Sequence, residues 1–201
     1  MANSSRTLQQ LEWPAAGAWK IDPVHSHIGF VARHAMVAKV RGRFAEFSGN
    51  VHIDDILARS SVDVTIEAGS ITTDSAERDA HLRAPDFLDV ERYPVLTFRS
   101  TGVEVTGDDT LRLIGDLTIK GVTRPVTLNV TYEGAQVDPW GNTRAGFSAV
   151  TETDREDFGI AWNQVMDTGS LLLGRKIRIE IDVELVETAE PASEVSLDTA
   201  S

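Results

Sequence analysis

The 201-residue sequence contains no cysteine. Disulfides, thiolate nucleophiles and cysteine-based metal sites are therefore excluded, and stability must come from packing alone. Long hydrophobic runs are also absent, because no stretch approaches the roughly 18 apolar residues that a membrane-spanning helix requires. Residues 1–17 lack the apolar core of a secretion signal, so we expect a cytoplasmic protein without stable membrane insertion.

Basic residues are scarce. The chain has 19 lysines and arginines against 31 aspartates and glutamates, which gives a net charge of −12. Because that excess repels a phosphate backbone, nucleic acid is not a predicted partner. An anionic membrane surface is disfavoured for the same reason, although a net count does not exclude a local basic patch.

Recognisable catalytic motifs are missing as well. The sequence has no G-x-S-x-G, no H-E-x-x-H, no phosphate-binding glycine loop and no dinucleotide fingerprint. His25 and His27 share one face of a predicted strand, but the spacing of His34, His52 and His81 offers no third ligand for a zinc site. We therefore predict no catalytic residue, no metal and no cofactor.

The dominant pattern in the sequence is alternation with a period of two. From Ile177 to Leu185, apolar residues occupy the odd positions and charged residues the even ones. This pattern is typical of a strand with one dry and one wet face. Strands with similar signals are predicted at 26–33, 43–53, 62–68, 94–104, 111–119, 126–132 and 143–153.

Other segments lack this alternation. Residues 73–83 contain good helix formers and predict a helix, and residues 86–92 are compatible with a second helical turn. Residues 158–173 predict a glycine-containing loop. Residues 1–17 and 188–201 are poor in large apolar groups, so we expect a flexible N-terminal arm and a disordered C-terminal tail around one domain over 18–187.

One dry face per strand is compatible with a sandwich or a barrel, and periodicity does not decide between them. A closed barrel would remove both exposed sheet edges. With about eight strands, its interior is just wide enough for one small ligand. The alternative is an interior filled by the protein's own side chains.

Several segments, in their order and spacing, resemble the YceI-like family over about residues 18–186. They include WKIDPVHSHIGF at 19–30, SITT at 70–73, RDAHL at 78–82, GDLTIKGVT at 115–123 and REDFG at 155–159. The resemblance implies an all-β fold, an antiparallel lipocalin-like β-barrel of about eight strands with one or two short helices. It also implies binding of polyisoprenoids or related amphiphiles, and homodimers.

In a closed barrel the dry strand faces point inward, which predicts a lining for an apolar ligand. The predicted lining residues are Ile28, Phe30, Val64, Ile66, Phe98, Leu113, Leu117, Leu128, Val130, Phe147, Ile179 and Ile181. Phe158 and Trp162 are added as residues that plug one end of the barrel or cap the ligand tail.

Two arginines are candidates for binding a polar headgroup. The planar guanidinium of Arg155 suits a phosphate or carboxylate, although Arg155 could equally be a salt-bridged residue at a strand end. Arg78, on the predicted helix, could reach a headgroup or hold the helix down through polar contacts.

We therefore expect a carrier that encloses a long apolar ligand, such as a polyisoprenoid, a quinone-like molecule or an acyl lipid. The alternative is an enzyme, an isomerase, cyclase or hydrolase that acts on a hydrophobic metabolite in the same cavity. That alternative would need a polar group in the cavity wall, such as His25, His27 or a buried carboxylate.

Overall fold

The fold is built almost entirely from antiparallel strands. The computed structural model describes residues 12–35, 37–167, 169 and 172–188. The strands are β1 (Gly17–Ile21), β2 (His27–His34), β3 (Ala38–Phe44), β4 (Phe47–Ile53), β5 (Ser61–Glu67), β6 (Ile71–Thr72), β7 (Val95–Val105), β8 (Thr110–Ile119), β9 (Val122–Val137), β10 (Thr143–Asp154) and β11 (Leu173–Thr188). One helix, α1 (Ala76–Arg83), follows β6.

The strands close into a barrel of eight positions. β1 and β2 lie end to end along β11, where Ile21 pairs with Leu185 and Ile28 with Ile181. β3 and β4 form the next position, and β5 and β6 the one after it. β7 to β11 complete the circuit in sequence order. The predicted antiparallel barrel of about eight strands is therefore confirmed, and the sandwich is excluded.

The barrel has two different ends. At one end the wall is interrupted, because β6 pairs only with β3 while β7 pairs with β5 and β8. α1 and the turns that follow it occupy this gap, and we call this the helix end. The far end carries the β7–β8 turn, the loop at 138–142 and the residues that precede β1.

Glycine is required at two positions in the β8–β9 hairpin, at Gly121 in the turn and at Gly115 inside β8. Lys120 and Gly121 both have positive φ, 50° and 73°, as a two-residue turn between right-twisted strands demands. Inside β8, a Cβ on Gly115 would lie 2.4 Å from the ring of Phe98. The absence of a side chain there makes room for the Phe98 ring on the inner face of β8.

Most predicted strands agree with the structure to within a few residues. The differences are β1 and β6, which were not predicted, β9, which is longer than predicted, and the predicted strand at 43–53, which contains only the last two residues of β3, a two-residue break and β4. The second helical turn predicted at 86–92 is wrong. Those residues form separate hydrogen-bonded turns, and Asp89 has a φ of 52° that interrupts any helix.

The predicted tails lie largely outside the described residues. Of the predicted arm, only residues 12–17 are described, and they pack against the far end of the barrel. Thr188, the first residue of the predicted C-terminal tail, still pairs with Ala18. Within the described part of the chain, no helix combines the length and apolar character needed to cross a bilayer.

Candidate ligand-binding cavity

The barrel encloses a cavity of about 480 Å³. That volume lies in the range of about 300–1,000 Å³ typical of small-molecule sites. All the residues that the strand alternation placed inside line it, and so do Phe158 and Trp162. The alternative of an interior filled by its own side chains is therefore wrong. Contact of these residues with a ligand stays a prediction.

Aromatic rings close the far end of the cavity. Trp13 stacks on Tyr132 with ring centroids 5.1 Å apart and an interplanar angle of 17°. Tyr132 is almost fully buried and packs in turn on Phe147. Burial raises the pKa of the Tyr132 phenol. Trp13 lies in the predicted flexible arm, although a large apolar Trp-Pro pair in a polar segment is itself a sign of packing.

The helix end of the cavity is covered by two aromatic groups. Phe158 ends a short 3-10 turn at Arg155–Phe158 and packs fully buried against Phe98 and Leu117. The Trp162 ring packs perpendicular to the ring of His81, with centroids 4.8 Å apart, and tilted against the ring of Phe87, with centroids 5.3 Å apart. Phe158 therefore packs inside the barrel wall, while Trp162 belongs to the cover beside α1.

The mouth of the cavity lies between the β2–β3 hairpin and α1. Among the described lining residues only His34, at the end of β2, and Arg78, on α1, are exposed to solvent. The Arg78 guanidinium donates to Thr73 through Nε, 2.7 Å from Oγ1, and through Nη2, 2.8 Å from the carbonyl oxygen. These bonds hold Arg78 at the mouth and also tie α1 to the barrel.

A buried carboxylate fixes α1 in this position. Asp79 accepts hydrogen bonds from the Thr73 amide at 2.7 Å, the Thr73 hydroxyl at 2.6 Å and the Thr72 hydroxyl at 3.0 Å. Burial acts to raise the pKa of Asp79, but these hydrogen bonds outweigh it, and the pKa is lowered. Asp79 therefore stays ionised as a structural anchor beneath the mouth.

Arg155 is a cation enclosed at the cavity wall, with only 4% of its surface exposed. Its Nε donates to the Gly174 carbonyl at 3.0 Å, and its Nη1 donates to the carbonyls of Ile160 at 2.6 Å and Trp162 at 2.9 Å. Nη2 is buried and has no hydrogen-bond partner among the described residues. Burial lowers the pKa of Arg155.

The salt-bridge interpretation of Arg155 is wrong. Its neighbours Asp154 and Glu156 turn instead toward Arg175, whose nitrogens lie 3.0 Å and 3.1 Å from their carboxylate oxygens. Arg155 points inward because it continues the inner row of β10, after Thr151 and Thr153. The same alternation could have identified its direction from the sequence.

Polar lining groups are concentrated at the helix end. The polar lining residues at or near that end are His34, Arg78, His81, Thr151, Thr153 and Arg155. At the far end, the polar side chain among the described lining residues is Ser60. The cavity is thus apolar along most of its length and polar near its mouth. Such a gradient suits a molecule with a long apolar tail and one polar head.

A second charged cluster lies outside the cavity. Arg144 on β10 contacts Asp22, Asp138 and Glu184, and His25 Nδ1 lies 2.9 Å from Asp22 Oδ2. Asp22, His25 and Glu184 are close enough together to share a metal ion, but Arg144 already forms ion pairs with both carboxylates. His25 and His27 do not line the cavity, and no described lining residue is a carboxylate.

A closed antiparallel barrel around an apolar cavity with a polar mouth defines a lipocalin-like protein. A model of the YceI-like domain matches residues 19–185. The chain belongs to the YceI-like family, which confirms the predicted resemblance.

Related sequences and solved structures agree with this assignment. A UPF0312 protein of Vibrio cholerae is 39% identical over 81% of this chain and 82% of its own length, and one of Pseudomonas putida is 40% identical over 76% and 83%. A Campylobacter jejuni YceI protein has a TM-score of 0.67 at 30% identity, covering 78% of this chain and 90% of its own. A polyisoprenoid binding domain from Saccharophagus degradans has a TM-score of 0.62 at 15% identity, covering 85% and 98%.

Proposed function

We propose that the protein is a carrier for a long amphiphile of the isoprenoid, quinone-like or acyl class. The tail lies along the apolar length of the barrel toward Trp13, and the polar head lies near Arg155 at the helix end. The observation that carries this proposal is the combination of an apolar cavity with one enclosed cation in its wall that has no ion-pair partner among the described residues.

The physical chemistry of Arg155 supports the position of the head. A buried donor without a partner is costly, and a charged one more so. Nη2 is buried behind the cavity wall, so a small shift of the guanidinium would bring it to a ligand oxygen, and the hydrogen bond formed there would remove that cost. Arg78 supplies a second guanidinium at the mouth, which an anionic head could contact on entry.

The chemistry of the lining supports the tail. Burial of apolar surface contributes roughly 25 cal/mol per Å², so a few hundred Å² of prenyl or acyl chain contributes several kcal/mol before ordering costs. The Saccharophagus degradans domain with the same fold is described as polyisoprenoid binding, which is consistent with such a guest.

The enzyme alternative has one observation in its favour. His81 lines the cavity, and its Nε2 lies 3.1 Å from Asp86 Oδ2. Both side chains are substantially exposed, so we propose a carrier rather than a catalyst. Turnover would show as a change in mass of a bound amphiphile during incubation, with loss of that change in His81→Gln. Homodimerisation and a cytoplasmic location stay predictions.

The proposal is tested by filling the cavity. Leu117 is buried against Phe98 on the inner face of β8. We expect Leu117→Trp to abolish binding of a fluorescent fatty-acid analogue, because the indole would occupy the tail position. Val130→Phe, a smaller addition to the same lining, should weaken binding without loss of the fold.

The control is Asp116→Trp, which places the same ring on the outer face of the same strand. It should bind the probe as the natural protein does. Native mass spectrometry and organic extraction of the purified protein should also release an amphiphile. A protein that emerges empty and does not bind the probe would contradict the carrier proposal.

A further inference from the structure

The β2–β3 hairpin has a charge opposite to that of the whole chain. Residues 33–43 include Arg33, Lys39, Arg41 and Arg43 but no aspartate or glutamate, in a protein with a net charge of −12. The net charge therefore conceals a local basic segment.

The barrel geometry places these four side chains on one outer face. Ala32 pairs with Val40 and both line the cavity, so the alternate pair Arg33 and Lys39 points outward, as do Arg41 and Arg43 along the same strand. All four are exposed, and none forms an ion pair with a described residue. We call this the hairpin face.

Exposed apolar groups lie beside the hairpin face. Val37, next to the hairpin tip, is 86% exposed. Val165, on the neighbouring segment, is 67% exposed, and the two are linked through Leu172, which bonds to the backbone of Ala35 at 2.7 Å and of Gln164 at 2.8 Å. Positive charge beside projecting apolar side chains suits an anionic, partly apolar surface.

The hairpin face also borders the mouth of the cavity. His34, the last residue of β2, is one of the two exposed lining residues. The far end carries the opposite charge, with Asp54, Asp55, Asp138 and Glu187 around its loops. An anionic surface would therefore attract the hairpin face, rather than the part of the open end beside α1 where Asp74 and Glu77 are exposed, and it would repel the far end.

We propose that the hairpin face and Val37 dock the open end of the barrel onto an anionic lipid bilayer. The mouth then faces the lipid, and an amphiphile can move between bilayer and cavity without crossing bulk water. This role rests on the proposed function, but the docking itself is a separate property of the hairpin face.

The test is sedimentation with vesicles of phosphatidylcholine, with and without phosphatidylglycerol. We expect binding only to the anionic vesicles, weakening as salt is raised. Because each basic residue near such a surface contributes about fivefold in partitioning, R33Q/K39Q/R41Q should lose on the order of 100-fold. The matched control, R99Q/R112Q/R124Q, removes the same charge from β7, β8 and β9 and should bind as the natural protein does.

A second pair of variants isolates the apolar contact. Val37→Ser should weaken vesicle binding, whereas Val24→Ser, at a site that is 82% exposed but outside the hairpin face, should not. The proposal would be overturned if the two triple variants lost vesicle binding equally, or if the natural protein bound neutral and anionic vesicles equally well. It would also be overturned if the natural protein did not bind anionic vesicles, or bound duplex DNA more tightly than vesicles at equal phosphate concentration.

Binding of the fluorescent fatty-acid analogue in solution separates this proposal from the carrier proposal. The hairpin variants should retain that binding, which also shows that they are folded. A natural protein that binds anionic vesicles but not the analogue would contradict the carrier role while leaving the docking intact.

Discussion

Two arginines at opposite ends of β10 have opposite environments. Arg144, near the start of the strand, points outward and contacts three carboxylates. Arg155, immediately after the strand, points inward and contacts three backbone carbonyls but no carboxylate. The hydrogen bonds that Arg144 donates to Asp138, Asp22 and Glu184 raise its pKa, whereas burial lowers the pKa of Arg155.

This difference separates the structural role of Arg144 from the binding role that we propose for Arg155. The charge of Arg144 is fully compensated within the protein, so nothing further is needed to stabilise it. The charge of Arg155 is stabilised by three backbone carbonyls and, at longer range, by the charges of Glu156 and Asp154, but Nη2 has no hydrogen-bond partner among the described residues. A protein that maintains such a group beside an apolar cavity retains the capacity to recognise one polar atom of a guest.

The largest expected effect is on ligand affinity at Arg155. We expect Arg155→Met to weaken binding of the fluorescent fatty-acid analogue about 10- to 100-fold, because a hydrogen bond to a charged group contributes about 1.5–3 kcal/mol. An analogue with the same tail and no polar head should bind nearly unchanged. Titration of both probes measures the difference.

Arg144→Met is the matched control for this experiment and should leave both affinities unchanged. Arg155→Lys should keep part of the affinity for the acid, because it retains a charge but not the guanidinium geometry. If Arg155→Met weakens the binding of both probes equally, Arg155 supports only the shape of the cavity. The binding role that distinguishes Arg155 from Arg144 would then be wrong.

The next effect is on stability at Arg144. Arg144→Met leaves Asp22, Asp138 and Glu184 without their shared cation, so we expect Tm to fall by several degrees. Arg178, whose pair with Glu180 is largely solvent-exposed, provides the control. Arg178→Met should change Tm little, because the loss of an exposed ion pair usually has little effect on stability. A thermal melt in which both variants behave alike would remove the structural role assigned to Arg144.

Much of the cavity could be predicted from alternation alone. Side chains in a strand point alternately to the two faces of the sheet. Once the strands form a closed barrel, the apolar face that contains Leu117 must therefore point inward. The same rule extends along β10 from Phe147 to Arg155, where the charged neighbours obscured it. Asp154 and Glu156 are adjacent in sequence, but their side chains turn away to Arg175.

Features that depend on distant contacts could not be predicted in this way. The stacking of Trp13 on Tyr132 joins residues more than a hundred positions apart, and no local pattern specifies it. The ion pair of Arg144 with Asp22 likewise exists only after the barrel has closed. The net charge of the whole chain also does not predict the charge of a local surface, because it averages the basic hairpin face with the acidic far end.

The smallest effect is a pH dependence at the Arg144 cluster. Hydrogen bonds from His25 and then Arg144 lower the pKa of Asp22 from 3.8 to about 2. A carboxylate with a lowered pKa in the folded state stabilises the fold above its ordinary pKa, and this contribution is lost as the pH falls through the lowered value. The contribution of the Asp22 charge is therefore complete at pH 7 and declines between about pH 4 and pH 2.

Asp22→Asn measures this contribution directly. Urea denaturation of the natural protein and the variant should give a difference in unfolding free energy that is constant near neutral pH and narrows across this acid range. Carboxylates outside the Arg144 cluster titrate in the same way in both proteins, so their effects cancel in the difference. A difference that does not narrow as the pH falls would mean that Asp22 contributes through packing or neutral hydrogen bonds, and that the cluster is not held by charge.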